Sequence, residues 1–288
     1  MGLAEFIDVL LNYKFMQHAL VTSVAVGVFC GVVGSFIVLR GMALMGDAIS
    51  HAVLPGVAIS YMLGANLFYG AVATGLLTAL GIGYVSQNSR IKSDSAIGIV
   101  FSAAFALGVL LIAHAQSATN LNNILFGNVL TVREADMWRT LGVGVFVLLF
   151  VVLFYKELLV SSFDPTMAAA YGLPTRVIHY ALMVLLTLVT VASLQTVGVV
   201  LVVAMLVTPA STAYLLTDRL SVMLWLAALF GVVSSVAGLY FSFVYNLTSG
   251  AVIVLVAAVL FALAFVFSPR HGVLWRRLGL NWKGGVES

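Results

Sequence analysis

Long apolar segments separated by short polar connections dominate the chain from about residue 18 to residue 268. A membrane-spanning helix needs about 20 mostly apolar residues, and nine segments meet this requirement. They cover residues 18–39, 42–64, 66–87, 95–115, 137–155, 177–193, 197–216, 221–242 and 249–268. The pattern predicts an all-α integral membrane protein with about nine transmembrane helices (eight to ten), in one polytopic domain at 18–268.

Some connections and both termini depart from this simple pattern. Only "GAN" divides the second segment from the third and only "LQTV" divides the sixth from the seventh, which predicts hairpins or partly broken helices. Residues 1–17 carry Glu5 and Asp8 instead of the positive region of a secretory signal. We therefore expect residues 1–17 to be a retained interfacial segment and residues 269–288 to be a basic cytoplasmic tail.

Composition and charge support a membrane location. The chain is 62% hydrophobic and 8% charged, whereas a typical soluble domain has about 25% charged residues, so a soluble fold is excluded. The net charge of +3 does not indicate nucleic-acid binding, because the basic residues are scattered between apolar segments. With the N-terminus outside and the C-terminus in the cytoplasm, only Lys14, Arg133 and Arg139 of the thirteen basic residues fall outside, as positive-inside sorting predicts.

The inner connection at 156–176 reads "KELLVSSFDPTMAAAYGLPTR" and has the signals of a short helix. Ser162 or Asp164 can cap it, Pro165 suits its first position, and Gly172 and Pro174 end it. These signals predict a capped helix within about 162–174. The helix is either a plain surface linker or a docking element for a cytoplasmic partner.

Asp47 and His51 are two ionisable residues inside the second predicted span. Such residues cost about 2.5–3.5 kcal/mol each at membrane depth, which makes them functional candidates. At four residues' separation they share one helix face. Pro55 is expected to free the carbonyl of His51, and Gly46 and Gly56 permit close approach by a neighbouring helix.

A carboxylate, an imidazole and a free carbonyl suit a divalent cation such as manganese, zinc or iron. Two side chains do not complete a coordination shell, so further ligands must come from another helix, from water or from a second subunit. Two alternatives to a metal site remain open at this point. Asp47 and His51 are either a hydrogen-bonded pair that pins two helices together or part of a proton relay.

A second predicted span, "VGVVLVVAMLVTPASTAYLL", also contains a proline. Pro209 is expected to break this span and to free the carbonyl of Met205. Thr208, Ser211 and Thr212 beside it either line a pathway or bond back to helix carbonyls. The other four histidines lie near span ends and are interpreted as interfacial side chains: His18, His114, His179 and His271.

Two enzyme motifs are absent from the sequence. There is no "GxxxxGK[ST]" phosphate loop and no "HExxH" pair, so neither ATP hydrolysis nor that type of zinc proteolysis is assigned to this chain. We therefore expect a transport protein rather than an enzyme.

The string "LRGMALMGDAISHAVLPGVAISYMLG" resembles the hallmark segment of membrane permeases in bacterial ABC importers of manganese, zinc and ferrous iron. The resemblance continues through "NNILFGNVLTV", "SFDPTMAAAYGLP" and "GVVLVVAMLVTPASTAYLL", and covers about residues 15–268. It implies a type II importer fold like that of the vitamin B12 and siderophore importers, in a homodimer in the bacterial cell membrane.

The resemblance also implies partners and residue roles. A cytoplasmic ATPase on a separate chain would power the permease, and an external metal-binding lipoprotein facing the loop at 116–136 would supply it. Asp47 and His51 occupy the metal-contacting motif, and no cofactor is permanently bound. The segment that resembles the coupling helix, which docks into the ATPase, contributes Phe163, Asp164, Pro165, Ala169 and Gly172.

The identity of the metal depends on a narrower resemblance. The "MGDAISHAVLPG" segment is similar to manganese-type members, which favours manganese, with zinc or ferrous iron as alternatives. A stand-alone metal channel or a proton-coupled carrier is the rival from another class. Whether uptake requires an ATPase distinguishes the two classes.

Overall fold

The computed structural model describes residues 3–114 and 129–268. The predicted basic tail at 269–288 and most of the outer loop at 116–136 lie outside the described residues. The described residues form α1 (Leu3–Asn12), α2 (Lys14–Leu39), α3 (Leu44–Ala52), α4 (Leu54–Met62), α5 (Leu67–Asn88), α6 (Ser93–His114), α7 (Glu134–Leu153), α8 (Tyr155–Phe163), α9 (Pro165–Ala170), α10 (Thr175–Val197), α11 (Val199–Leu216), α12 (Leu220–Tyr245) and α13 (Ser249–Phe267). A 3₁₀ turn covers Val129–Thr131.

Eight of these helices are long and apolar enough to cross a membrane. They are α2, α5, α6, α7, α10, α11, α12 and α13. The prediction of an all-α membrane protein with eight to ten spans is confirmed. The remaining predicted span, at 42–64, is present but is divided into α3 and α4, which are 9 residues long each.

The division between α3 and α4 falls at Val53, two residues before Pro55. Proline cannot donate to the carbonyl four residues earlier, and its ring crowds that carbonyl. The hydroxyl of Thr74 on α5 lies 3.3 Å from the Val53 carbonyl oxygen and can donate to it. A neighbouring helix thus supplies a donor at the interruption, as is usual for broken helices inside membrane proteins.

The carbonyl of His51 differs from expectation. Backbone N–H groups at the end of α3 donate to the carbonyls of Ile49 and His51. The expectation of a free His51 carbonyl beside Asp47 is therefore wrong. The chain turns tightly before Pro55, so the carbonyl that proline leaves behind finds a different backbone donor.

The helices define two ends of one bundle. At one end, the Arg40 side chain contacts Ser161 on α8. At the other end, Gly64 and Arg139 line one cavity of about 410 Å³. Because the chain runs from Arg40 to Gly64 through α3 and α4 alone, these two short helices together cross the bundle.

Helix α2 forms the centre of the bundle, where glycines bring backbones together. A Cβ added to Gly27 would lie 2.7 Å from the carbonyl oxygen of Gly231 on α12. A Cβ on Gly34 would overlap the carbonyl of Leu206 on α11. Small residues at crossing points are the usual means of helix packing in membranes, so α2 is held tightly by both neighbours.

Both predicted tight connections are short turns between two separate helices. Gly64, with φ +65°, precedes Asn66, whose side chain accepts a hydrogen bond from the Phe68 N–H at the start of α5. Gly198, with φ +84°, is the single residue between α10 and α11. Positive φ favours glycine because a Cβ would crowd the backbone there.

Candidate metal site

Asp47 and His51 lie on one face of α3, as their spacing predicts. The His51 Nε2 atom is 3.6 Å from the Asp47 Oδ1 atom, and the two side chains are 33% and 50% exposed respectively. This distance exceeds that of a hydrogen bond. The pair is therefore open to a further atom between or beside its two donor groups.

Packing of α3 explains why the pair faces outward. Met45 and Ile49 are fully buried on the opposite face. Gly46 lies against the Leu206 side chain of α11, where an added Cβ would be 2.8 Å away from its Cδ1 atom. The expected close approach at Gly46 is therefore confirmed, and it fixes the rotation of α3 that presents Asp47.

The His51 ring packs against two aromatic side chains of α6. Its ring centroid is 6.1 Å from that of Phe101 and 5.8 Å from that of Phe105. The Nδ1 atom is buried and has no hydrogen-bond partner among the described residues. Buried polar atoms normally have hydrogen-bond partners, so the Nδ1 atom of His51 is left without one in the described part of a single chain.

One chain does not supply a full set of metal ligands. Within residues 3–114 and 129–268, no group of three or more His, Cys, Asp and Glu side chains is placed to hold a metal ion. Neither member of the Asp47–His51 pair bonds to a second helix through a polar group in this part of the chain. The geometry thus favours an open half-site over a pin between two helices.

The second proline segment behaves differently from the first. Helix α11 runs without interruption through Pro209, so the expectation of a broken span there is wrong. The Thr212 hydroxyl donates to the Thr208 carbonyl at 2.7 Å, which is the back-bonding alternative. Helix α11 lies beside α3, and a pathway-lining role for Thr208, Pro209 and Ser211 stays a prediction.

The capped helix in the inner connection is α9. The Asp164 Oδ1 atom accepts from the N–H groups of Thr166 and Met167, at 3.0 Å and 2.9 Å. Asp164, rather than Ser162, is therefore the cap, and hydrogen bonds from the Thr166 hydroxyl and the Met167 N–H lower the pKa of its carboxyl. Gly172, with φ +78°, ends the helix.

The exposed face of α9 contains more than the sequence suggested. The predicted contact residues are all exposed: Phe163, Asp164, Pro165, Ala169 and Gly172. Met167 and Tyr171 are also exposed, at 51% and 73%. Met167 and Tyr171 are four residues apart, and the bond from the Tyr171 N–H to the Met167 carbonyl continues the helical turn, so these two large side chains lie on one face. Their spacing was present in the sequence but was missed.

These features define the chain as a multi-pass membrane protein of the transport-permease class. Residues 3–114 and 129–268 contain eight continuous apolar helices, a broken crossing that carries an acid and an imidazole on its exposed side, and a capped helix exposed at one end. Residues 12–268 match the model of the ABC 3 transport family. The chain belongs to this family.

Relatives extend over nearly the whole chain. The manganese transport system membrane protein MntC of Halalkalibacterium halodurans is 64% identical over 284 residues, covering 98% of this chain and 96% of the relative. The manganese import system permease protein ScaB of Streptococcus parasanguinis is 52% identical, covering 93% and 96%. The solved structure of PsaBC from Streptococcus pneumoniae in complex with Fab matches with a TM-score of 0.85 and 51% identity, over 97% of this chain and 99% of that one.

Proposed function

We propose that this chain is the membrane-spanning permease of an ATP-driven manganese importer in a bacterial cell membrane. The observation that carries the proposal is the outward-facing Asp47–His51 pair on an interrupted crossing helix. Carboxylate oxygen and imidazole nitrogen both suit manganese. Relatives named as manganese permeases support this metal over zinc and ferrous iron.

A second copy of the chain completes the metal site. Asp47 and His51 are partly exposed on the surface of one protomer, and an ionised side chain facing lipid costs about 2.5–3.5 kcal/mol. Their face must therefore meet protein or water. In a homodimer two such pairs would provide two carboxylates and two imidazoles, which is enough to replace much of an ion's hydration shell.

The energy source is an ATPase on another chain. The sequence has no phosphate loop. Around α9, at the end of the bundle that also contains Arg40, three large apolar side chains are exposed: Phe163 before the helix, Met167 within it and Tyr171 after it. We assign α9 as the coupling helix that docks into this ATPase. An external metal-binding lipoprotein delivers manganese at the opposite end, with the N-terminus outside and the C-terminus cytoplasmic.

The test is manganese uptake by cells whose only copy of the permease carries Asp47→Ala or His51→Ala. Uptake is expected to disappear in both variants at normal membrane levels, because each removes a ligand. Leu44→Ala is the matched control, since Leu44 is 60% exposed on the same helix and has no donor atom. Undiminished uptake by either ligand variant would remove the pair from the pathway.

Two further measurements distinguish the rival functions. A stand-alone channel or proton-coupled carrier would move metal without an ATPase, so uptake by the purified permease alone would contradict the proposal. Accumulation of manganese, zinc and iron in cells expressing the whole system, against a deletion strain, identifies the metal. Manganese is expected to change most.

A further inference from the structure

Arg40 is held by a cluster of side chains from distant parts of the chain. Its Nη2 atom donates to the Ser161 hydroxyl at 2.8 Å, and its Nε atom donates to the Ser162 hydroxyl at 3.2 Å. Its Nη1 atom lies 3.4 Å from the Nδ1 atom of His179. We call Arg40, Ser161, Ser162 and His179 the Arg40 cluster.

The cluster is more than a charge that orients the protein in the membrane. A topogenic arginine needs only to reach water, and snorkelling satisfies it there. The Arg40 guanidinium is instead directed at two serine hydroxyls, of which Ser161 is 3% exposed, and at one imidazole. Among the described residues no carboxylate forms an ion pair with it. These uncharged partners thus orient the guanidinium but do not neutralise its charge.

The Arg40 cluster lies next to both segments that were given a function above, α3 and α9. Arg40 directly follows α2, and the turn after it is fixed by Gly41 with φ +67° and by the bond from the Met42 N–H to the Ile37 carbonyl at 3.0 Å. Helix α3, with Asp47, begins at the end of this turn. Ser162 lies two residues before Asp164, the cap of α9.

The serine side is itself fixed to its helix. The Ser161 hydroxyl accepts from Arg40 and can donate its own hydrogen to the Leu158 carbonyl at 3.3 Å. A guanidinium presents its donors in a rigid planar fork, whereas a lysine offers one flexible point charge. The last turn of α8 is therefore held at a set distance from the start of the turn into α3.

We propose that Arg40 is a positioning residue that couples α9 to α3, so that displacement of α9 by the ATPase moves Asp47 and His51. This inference rests on the proposed function. Hydrogen bonds from a charged donor are stronger than those between neutral groups. Removal of the guanidinium leaves α9 free to move without the metal pair, which uncouples ATP hydrolysis from transport.

The experiment uses the permease, its ATPase and its binding protein in proteoliposomes, with manganese uptake and ATP hydrolysis measured together. Arg40→Gln is expected to keep ATP hydrolysis within about twofold of the unsubstituted complex and to lower manganese moved per ATP about tenfold, the ratio that corresponds to one such bond. Arg40→Lys is expected to recover part of this ratio. Arg90→Gln is the control, because Arg90 is an exposed arginine on the same side by the predicted topology.

A second variant covers the case in which Arg40→Gln fails to insert. The double substitution Ser161→Ala with Ser162→Ala keeps the charge and is expected to lower the same ratio. An unchanged ratio in either membrane-inserted variant overturns the inference, and so does a parallel loss of hydrolysis and uptake. Failure of the proposed function looks different, because the unsubstituted complex would then move no manganese.

Discussion

The two ends of residues 40–51 are built in opposite ways. At one end, Arg40 directs its guanidinium at three side-chain partners on α8 and α10. At the other end, the Asp47 Oδ1 and His51 Nε2 atoms are 3.6 Å apart, both side chains are partly exposed, and the His51 Nδ1 atom has no partner among the described residues. One end is satisfied within the chain and the other is not.

This difference separates an anchor from a ligand site. A polar group satisfied by the protein gains little from an added ligand, because its hydrogen bonds are already made. An open pair gains when an ion arrives and is left unsatisfied when the ion departs. Transport requires binding that is favourable but reversible, and the open end has the form that this requires.

The largest effect is expected from Asp47→Asn, which tests the open end. We expect manganese uptake to fall about a hundredfold, the upper end of what loss of even an indirect metal partner costs. The thermal midpoint of the purified protein is expected to stay unchanged, because no hydrogen bond from the described residues holds the Asp47 side chain. A lowered midpoint would show that Asp47 has a structural role and would weaken the contrast with Arg40.

A smaller effect is expected in α2, the helix that leads to Arg40, from Gly34→Ala. The new Cβ would overlap the Leu206 carbonyl, which is backbone and cannot move aside. Overpacking of this kind costs about 1–3 kcal/mol, so the thermal midpoint should fall. Gly98→Ala is the control, because a Cβ there meets nothing within 4 Å. Equal midpoints for the two variants would contradict tight packing around α2.

The smallest effect is expected at α9, from the Asp164 cap. Hydrogen bonds from the Thr166 hydroxyl and the Met167 N–H lower the pKa of Asp164 in the folded protein. Its contribution is therefore present above the ordinary aspartate pKa of about 3.9 and is lost as the pH falls through the lowered folded value. ATPase binding to the permease is expected to weaken about fivefold in Asp164→Ala.

Asp164→Asn separates the charge of the cap from its shape. Asparagine caps helices about as well as aspartate, so ATPase binding at neutral pH is expected to be retained, while the acid-dependent loss of helix α9 disappears. Amide hydrogen exchange of residues 163–172 between pH 3 and pH 6 measures the acid-dependent loss of helix α9. Persistence of the acid-dependent step in the asparagine variant would assign it to another group.

Prolines show where prediction from sequence stopped. Pro55 and Pro209 each remove a backbone donor from an apolar helix. From the sequence, Pro55 was expected to free the carbonyl of His51, and Pro209 was expected to break its span. Only the Pro55 segment is divided, next to Thr74 and to the contact between Gly56 and Gly70 on α5. Helix α11 continues through Pro209, which is buried in the bundle. The neighbours, and not the proline, decide the outcome.

The Arg40 cluster was also beyond prediction. From the sequence, Arg40 was one of the inner basic residues and His179 one of four interfacial histidines. Their contact spans 139 residues of sequence, and that between Arg40 and Ser161 spans 121. No local pattern marks such a pair, because each residue is ordinary in its own segment.

The sequence by itself determined the all-α membrane class, the approximate number of crossings, the places of both tight connections and the presence of a short capped helix at α9. These depend on segment length and on bonds within about four residues, which the local order of residues specifies. Only the tertiary structure decided that Asp47 and His51 face outward, that Pro55 divides a helix and Pro209 does not, and that Arg40 joins α8 to α10. Those outcomes depend on which surfaces meet across the bundle, where contacts between distant residues outweigh local preference.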